Sequence, residues 1–204
     1  MILELLKKRY SARSFVSESI PDEIVGEMLE AARLAPSGGN EQAWAFGVVT
    51  DRDLIHTVAC LSYSNEKWMT GAPLIVALCT RMTKVIATDS FRFPELCMAN
   101  EELLDCVDME EHQVKIPGTQ MAMVALEHGI QCTWVSHFNV KRVAHALRLP
   151  ARYLPSNLLV FGYPQGKNPT EGGPQRKRDL QDIVFYNTGE DLPPADQVPH
   201  WKWD

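Results

Sequence analysis

Short apolar segments of strand character alternate along this chain with amphipathic helical segments, and none of them is long enough to make a core by itself. That alternation calls for one shared core in which helices cover strands. Ile2, Leu3, Leu5 and Leu6 form a first helical stripe. Pro21 opens a second helix at a favoured first-turn position, with Ile24, Val25, Met28, Leu29 and Ala32 on its buried face. Trp44 to Thr50 and Leu74 to Thr80 read as buried strands, and between them Asp51 is placed to cap a helix that uses Leu54, Val58 and Leu61. An apolar helical run from Gln120 to His128, with Met121, Val124 and Ala125, stops at Gly129 and leads into a strand. Asn139 is placed to cap a helix carrying Val140, Val143, Ala144 and Leu147, and Leu158 to Tyr163 makes the last core strand.

Composition removes several classes of function. With 204 residues, 45% of them apolar and 23% charged, the chain is globular and long enough for one sizeable core. Beyond Pro164 it turns rich in Pro, Gly and charge, yet Phe185, Tyr186, Trp201 and Trp203 are large apolar groups that need cover. The reading is one domain over residues 1–188 followed by a C-terminal segment over 189–204, which composition alone leaves between a disordered tail and an extension whose aromatics need cover. A net charge of -6 argues against a surface built for nucleic acid. No stretch of about twenty apolar residues offers a membrane span. Met1 to Tyr10 is charged and amphipathic, unlike a signal peptide. Five scattered cysteines without a Cys-x-x-Cys pair fit a reducing compartment, so a cytoplasmic protein is expected. Cys97, Cys106, Asp105, Asp108, Glu110, Glu111 and His112 match no zinc spacing and read as a solvated acidic helix, without a metal. No Gly-x-Gly-x-x-Gly turn marks a dinucleotide-binding domain.

Two stretches carry the chemistry. Arg9-Tyr10-Ser11-Ala12-Arg13 sets two guanidinium groups and a hydroxyl within one helical turn, a set suited to gripping a phosphate through charge-assisted hydrogen bonds. The plain alternative is a solvated basic face. Ala35-Pro36-Ser37-Gly38-Gly39-Asn40-Glu41-Gln42-Ala43-Trp44 is a Gly-rich turn with amide side chains, able to meet the polar edge of a heterocycle with donors and acceptors together.

In this order, and followed by Glu127-His128-Gly129-Ile130-Gln131-Cys132-Thr133-Trp134-Val135-Ser136 and by Leu159-Val160-Phe161-Gly162-Tyr163-Pro164 with Arg176-Lys177-Arg178, these stretches resemble the signatures of the nitroreductase family. Tyr10 stands where that family usually has a second basic residue, and Ala43 where it usually has Pro. The resemblance weakens between Arg81 and Lys115, where Phe91 and Phe93 offer a surface for a flat acceptor or simply anchor a loop.

The resemblance implies an α+β fold with a mixed central sheet flanked by helices, assembled as an intertwined homodimer whose C-terminal arm wraps the partner. It implies FMN at each subunit interface, with NADH or NADPH as a transient electron donor and a small conjugated molecule, such as a nitroaromatic or quinone, as acceptor. Arg9, Tyr10, Ser11 and Arg13, joined by Arg176 and Arg178, would hold the phosphate. Pro36, Ser37, Asn40, Gln42 and Asn65 would meet the ring, although Asn40 and Asn65 also suit a turn-stabilising role. Ser136 and His137 would lie beside the flavin's reactive nitrogen, chiefly through backbone N–H groups. No catalytic side chain is assigned, because the cofactor carries the hard chemistry. Reductive dehalogenation, flavin fragmentation and non-enzymatic FMN binding are the competing functions.

Overall fold

A computed structural model of the chain describes residues 2–81, 112–166, 183, 184 and 187. The chain divides into two compact units, Met1–Asn168 and Pro169–Asp204, and the account that follows concerns the first. The boundary expected at residue 188 lies outside the described residues, as do Arg176, Arg178, Phe91, Phe93 and all of the acidic cluster but His112.

The described elements are α1 (Ile2–Lys8), α2 (Asp22–Arg33), a 3-10 turn (Gly38–Asn40), β1 (Trp44–Val49), α3 (Arg52–Cys60), a second 3-10 turn (Tyr63–Asn65), α4 (Glu66–Met69), β2 (Leu74–Arg81), α5 (Lys115–Glu127), β3 (Gln131–Val135), α6 (Val140–Ala146) and β4 (Tyr153–Gly162). The strands lie in the order β1-β2-β4-β3. All three pairings are antiparallel, so no parallel pair of the expected mixed sheet lies among the described residues.

Helices cover both faces of this sheet. Along β2 successive side chains alternate between the faces: Ile75, Ala77 and Cys79 pack with Ile55 and Val58 of α3, Met69 of α4 and Val143 of α6. Leu74, Val76 and Leu78 pack with Met28 and Ala32 of α2 and with Met121 and Ala125 of α5. A strand buried on both faces has no polar side to show, which is why Leu74 to Thr80 reads as an unbroken apolar run. No helix among the described residues is long and apolar enough to cross a membrane.

Local signals set most boundaries. Gly129 closes α5 with φ +76°, a left-handed conformation that glycine adopts without a Cβ penalty. The Asp51 carboxylate accepts from the Leu54 N–H at 2.8 Å at the start of α3. The Asn139 side chain accepts from the Arg142 N–H at 3.0 Å at the start of α6. Because α6 has only seven residues, it depends heavily on that cap. Asn139→Ala is expected to cost about 1 kcal/mol and to lower Tm by about 2–4 °C in a thermal melt.

Two elements start earlier than the sequence suggests. α5 begins at Lys115, with Pro117 in its first turn where a missing N–H is harmless. β4 begins at Tyr153 rather than near Leu158, because a bulge interrupts its alternation: Leu78 faces Asn157 while Cys79 faces Pro155, leaving Ser156 as the extra residue. Thr80 and Ser156 join their hydroxyls across the bulge at 2.6 Å. On α1, Ile2 and Leu3 stay more than 60% exposed in the single chain.

Candidate functional site

The segment after α1 has no regular structure of its own, yet side chains of β3 hold it firmly. Gln131 and Thr133 lie on the same side of β3 as Val135, towards α3 and α6. The Tyr10 N–H donates to Gln131 Oε1 at 3.1 Å, and Gln131 Nε2 returns a bond to the Lys8 carbonyl at 3.5 Å. Thr133 Oγ1 donates to the Ala12 carbonyl at 2.6 Å. Farther on, Phe15 bridges to Pro164, the Val16 N–H donates to the Tyr163 carbonyl at 3.0 Å, and the Gln165 N–H to the Ser14 carbonyl at 2.9 Å. Ala12 is buried and Ser11 and Arg13 are exposed, so the hydroxyl and one guanidinium face outward. Arg9 is half-buried, and its charge reaches into the sheet: burial pushes the Cys132 thiol up strongly, and positive Arg9 partly opposes the shift. Burial likewise pushes the Cys79 thiol on β2 up to about 11.

Asn65, Ser136 and His137 join this group. The Arg13 guanidinium carbon lies 5.9 Å from the centre of the Trp68 ring. Trp68 Nε1 donates to Asn65 Oδ1 at 3.2 Å, and Asn65 Nδ2 donates to the Ser62 carbonyl at 3.0 Å. The rings of Tyr63, in the same turn as Asn65, and His137 sit 4.4 Å apart between centroids. Asn157 Nδ2 donates to Ser136 Oγ at 2.8 Å, and the buried Asn157 Oδ1 has no hydrogen-bond partner among the described residues. Arg9, Tyr10, Ser11, Arg13, Asn65, Ser136 and His137 thus gather around edge strand β3.

Pro36, Ser37, Asn40 and Gln42 form a separate group at the start of β1. The turn is tied to itself: Ser37 Oγ accepts from the Gln42 N–H at 3.0 Å, and Gln42 Nε2 donates to the Asn40 carbonyl at 3.2 Å. Gln113 Oε1 accepts from the Gly38 N–H at 2.7 Å, and the Arg81 guanidinium donates to the Glu41 carbonyl at 3.2 Å. Asn40 and Gln42 both have positive φ, 57° and 49°. Asn adopts that region readily, whereas Gln does so at a cost the surrounding bonds must offset. Among the described residues β1 and β3 are the two sheet edges, with two strands between them, so these strands lie three strand spacings, or about 14 Å, apart.

The donor set fits FMN. A phosphate of roughly -1.5 to -2 charge needs cations and hydroxyl donors at one place, and Arg9, Ser11 and Arg13 supply them along one clipped segment. No ion pair engages Arg13 among the described residues. The turn of Ser37 to Gln42 presents exposed amides suited to a heterocycle edge. Sequence reasoning passed over Trp68, Gln131, Thr133 and Asn157. A signal for Gln131 and Thr133 was present, since they are polar residues on the inward side of a strand whose neighbours are apolar.

Comparison with known proteins follows the same lines. The model of the Nitroreductase family matches residues 6–163. An oxygen-insensitive NADPH nitroreductase of Helicobacter pylori is 37% identical over 78 residues, 38% of this chain, and the match spans only 37% of that relative's length. A nitroreductase family protein of Clostridium difficile 630 superposes with a TM-score of 0.72 at 27% identity, over 92% of this chain and 98% of that one. An FMN-dependent nitroreductase of Clostridium difficile R20291 shares the fold with a TM-score of 0.67 at 19% identity, over 91% of this chain and 99% of that one.

Proposed function

This chain belongs to the nitroreductase family, and from that membership we propose that it is a cytoplasmic, homodimeric, FMN-dependent oxidoreductase drawing electrons from NADH or NADPH. The observation that carries the reading is the segment Arg9 to Arg13, whose backbone is clipped to β3 at Tyr10 and Ala12 and which brings two arginines and an exposed serine into one short stretch. FMN, when bound, would accept a hydride from the nicotinamide and pass two electrons to a small conjugated acceptor such as a nitroaromatic or quinone.

The chain's own residues bind and orient. Arg9, Ser11 and Arg13 would neutralise the phosphate; Arg176 and Arg178 lie outside the described residues. Tyr10 contributes through its backbone, which fixes the spacing of its neighbours. Ser136 and His137, just after β3, would hold the ring mainly through backbone N–H groups, which would stabilise added electron density. Pro36, Ser37, Asn40 and Gln42 would meet the ring from a second copy of the chain, a reading supported by their place beside β1 at the opposite edge of the described sheet. The arm expected at residues 189–204 lies outside the described residues, and exposed Ile2 and Leu3 on α1 would give a dimer apolar surface to bury. Free thiols at Cys60, Cys79 and Cys132 suit a reducing compartment.

The test is the absorption spectrum of the purified protein, followed by acceptor-dependent oxidation of NADH and NADPH. A yellow protein that releases FMN and turns over with a nitroaromatic or quinone is the expected result. A colourless protein that FMN cannot reconstitute would overturn the reading, and a yellow one without turnover would leave only an FMN-binding protein.

A further inference from the structure

Resting on the phosphate reading of Arg9 to Arg13, we propose that Trp68 is a positioning residue: its indole face holds the Arg13 guanidinium in place for the phosphate, and Asn65 serves the site by fixing that indole. Trp68 is half-buried on the four-residue helix α4, and two contacts determine where its ring stands. Its Nε1 donates to Asn65 Oδ1 at 3.2 Å. Asn65 is itself held, because its Nδ2 donates to the Ser62 carbonyl at 3.0 Å, and fully buried Ser62 donates through Oγ to the Val58 carbonyl of α3 at 2.8 Å. Beside the indole, the Phe15 ring lies 6.5 Å away at 46°. Phe15 is anchored in turn by its bridge to Pro164.

The indole is thus fixed from α3 by a polar chain and from the end of β4 by an apolar one. Arg13, with its guanidinium carbon 5.9 Å from the ring centre, falls within the range of a cation–π attraction. An arginine facing a ring keeps its N–H donors available for phosphate oxygens, and its long side chain has less freedom left to lose on binding. Asn65 has both ends of its amide engaged with the chain itself, so its contribution runs through Trp68 to Arg13.

The readout is the ratio of FMN to riboflavin affinity, measured by flavin fluorescence on the full-length protein stripped of flavin. The two ligands differ only in the phosphate, so a merely structural role for Trp68 would weaken both alike. Trp68→Leu is expected to lower the ratio by about two- to five-fold, the range of an exposed cation–π contact. Trp68→Phe, which keeps a ring face, is expected to recover most of the loss. If Trp68→Leu fails to fold, Asn65→Ala, which releases the indole N–H without emptying the core, is expected to shift the ratio in the same direction.

An unchanged ratio in Trp68→Leu or Asn65→Ala, alongside a clear drop in Arg13→Gln, would overturn the positioning role and leave the phosphate reading standing. A parent protein that binds riboflavin as tightly as FMN would overturn the phosphate reading and the positioning role together.

Discussion

Arg9→Ala is expected to raise the FMN dissociation constant by about ten- to a hundred-fold, the equivalent of losing one hydrogen bond to a charged group. Riboflavin binding is expected to stay nearly unchanged. The effect is large because Arg9 is half-buried and its field penetrates the sheet as far as Cys132. A charge in that position is screened less by salt than one on the surface. Its backbone is also fixed, by the Arg9 N–H on the Leu6 carbonyl at 3.2 Å and by the Tyr10 clip to Gln131. Fluorescence titration with both flavins gives the answer. If Arg9→Ala keeps FMN as tightly as the parent, the phosphate lies elsewhere.

The largest expected loss of stability comes from one hydrogen atom's replacement by a methyl group at the end of β4. In Gly162→Ala the new Cβ would lie 2.6 Å from Phe15 Cδ1 and 2.9 Å from both Phe15 Cγ and Pro73 Cδ. Phe15 is buried and bridged to Pro164, and a proline ring has little room to give, so relief requires moving the chain. Overpacking of this kind costs about 1–3 kcal/mol, which corresponds to a fall in Tm of about 2–12 °C. Gly26→Ala is the control: a Cβ there meets nothing within 4 Å, and the exposed site is mid-helix on α2, so stability should rise slightly. Equal melting temperatures for Gly162→Ala and the parent would show that Phe15 has freedom the packing does not suggest.

What the sequence revealed depended on how local the cause was. Asp51, Asn139 and Gly129 act within one helical turn of their own position, and each boundary they predict is observed. The first five residues of β4 escaped because Pro155, Ser156 and Asn157 break the apolar pattern, and only pairing with β2 makes a bulge of them. Helix α4 escaped because four residues show no periodicity. The candidate site divides in the same way. Arg9, Ser11 and Arg13 could be selected from residue type and spacing alone, but their placement comes from Gln131 and Thr133, more than a hundred residues later. Asn65 reads from the sequence as a ring contact or a turn stabiliser, and its amide bonds to Ser62 and Trp68. Those bonds are invisible without the fold, because Trp68 receives its meaning from Arg13 and Phe15.

The way the N-terminal segment is attached also bears on time. Its bonds to β3 come from two side chains, Gln131 and Thr133, while the β3 backbone pairs on its other edge with β4. The stretch from Tyr10 to Ala12 can therefore release its side-chain bonds to β3 without breaking a rung between β3 and β4, while Ser14, Phe15 and Val16 farther on stay tied through backbone to the end of β4. The residence time of a phosphate held by this stretch would then follow how often it lifts, a local opening distinct from unfolding of the doubly covered strands.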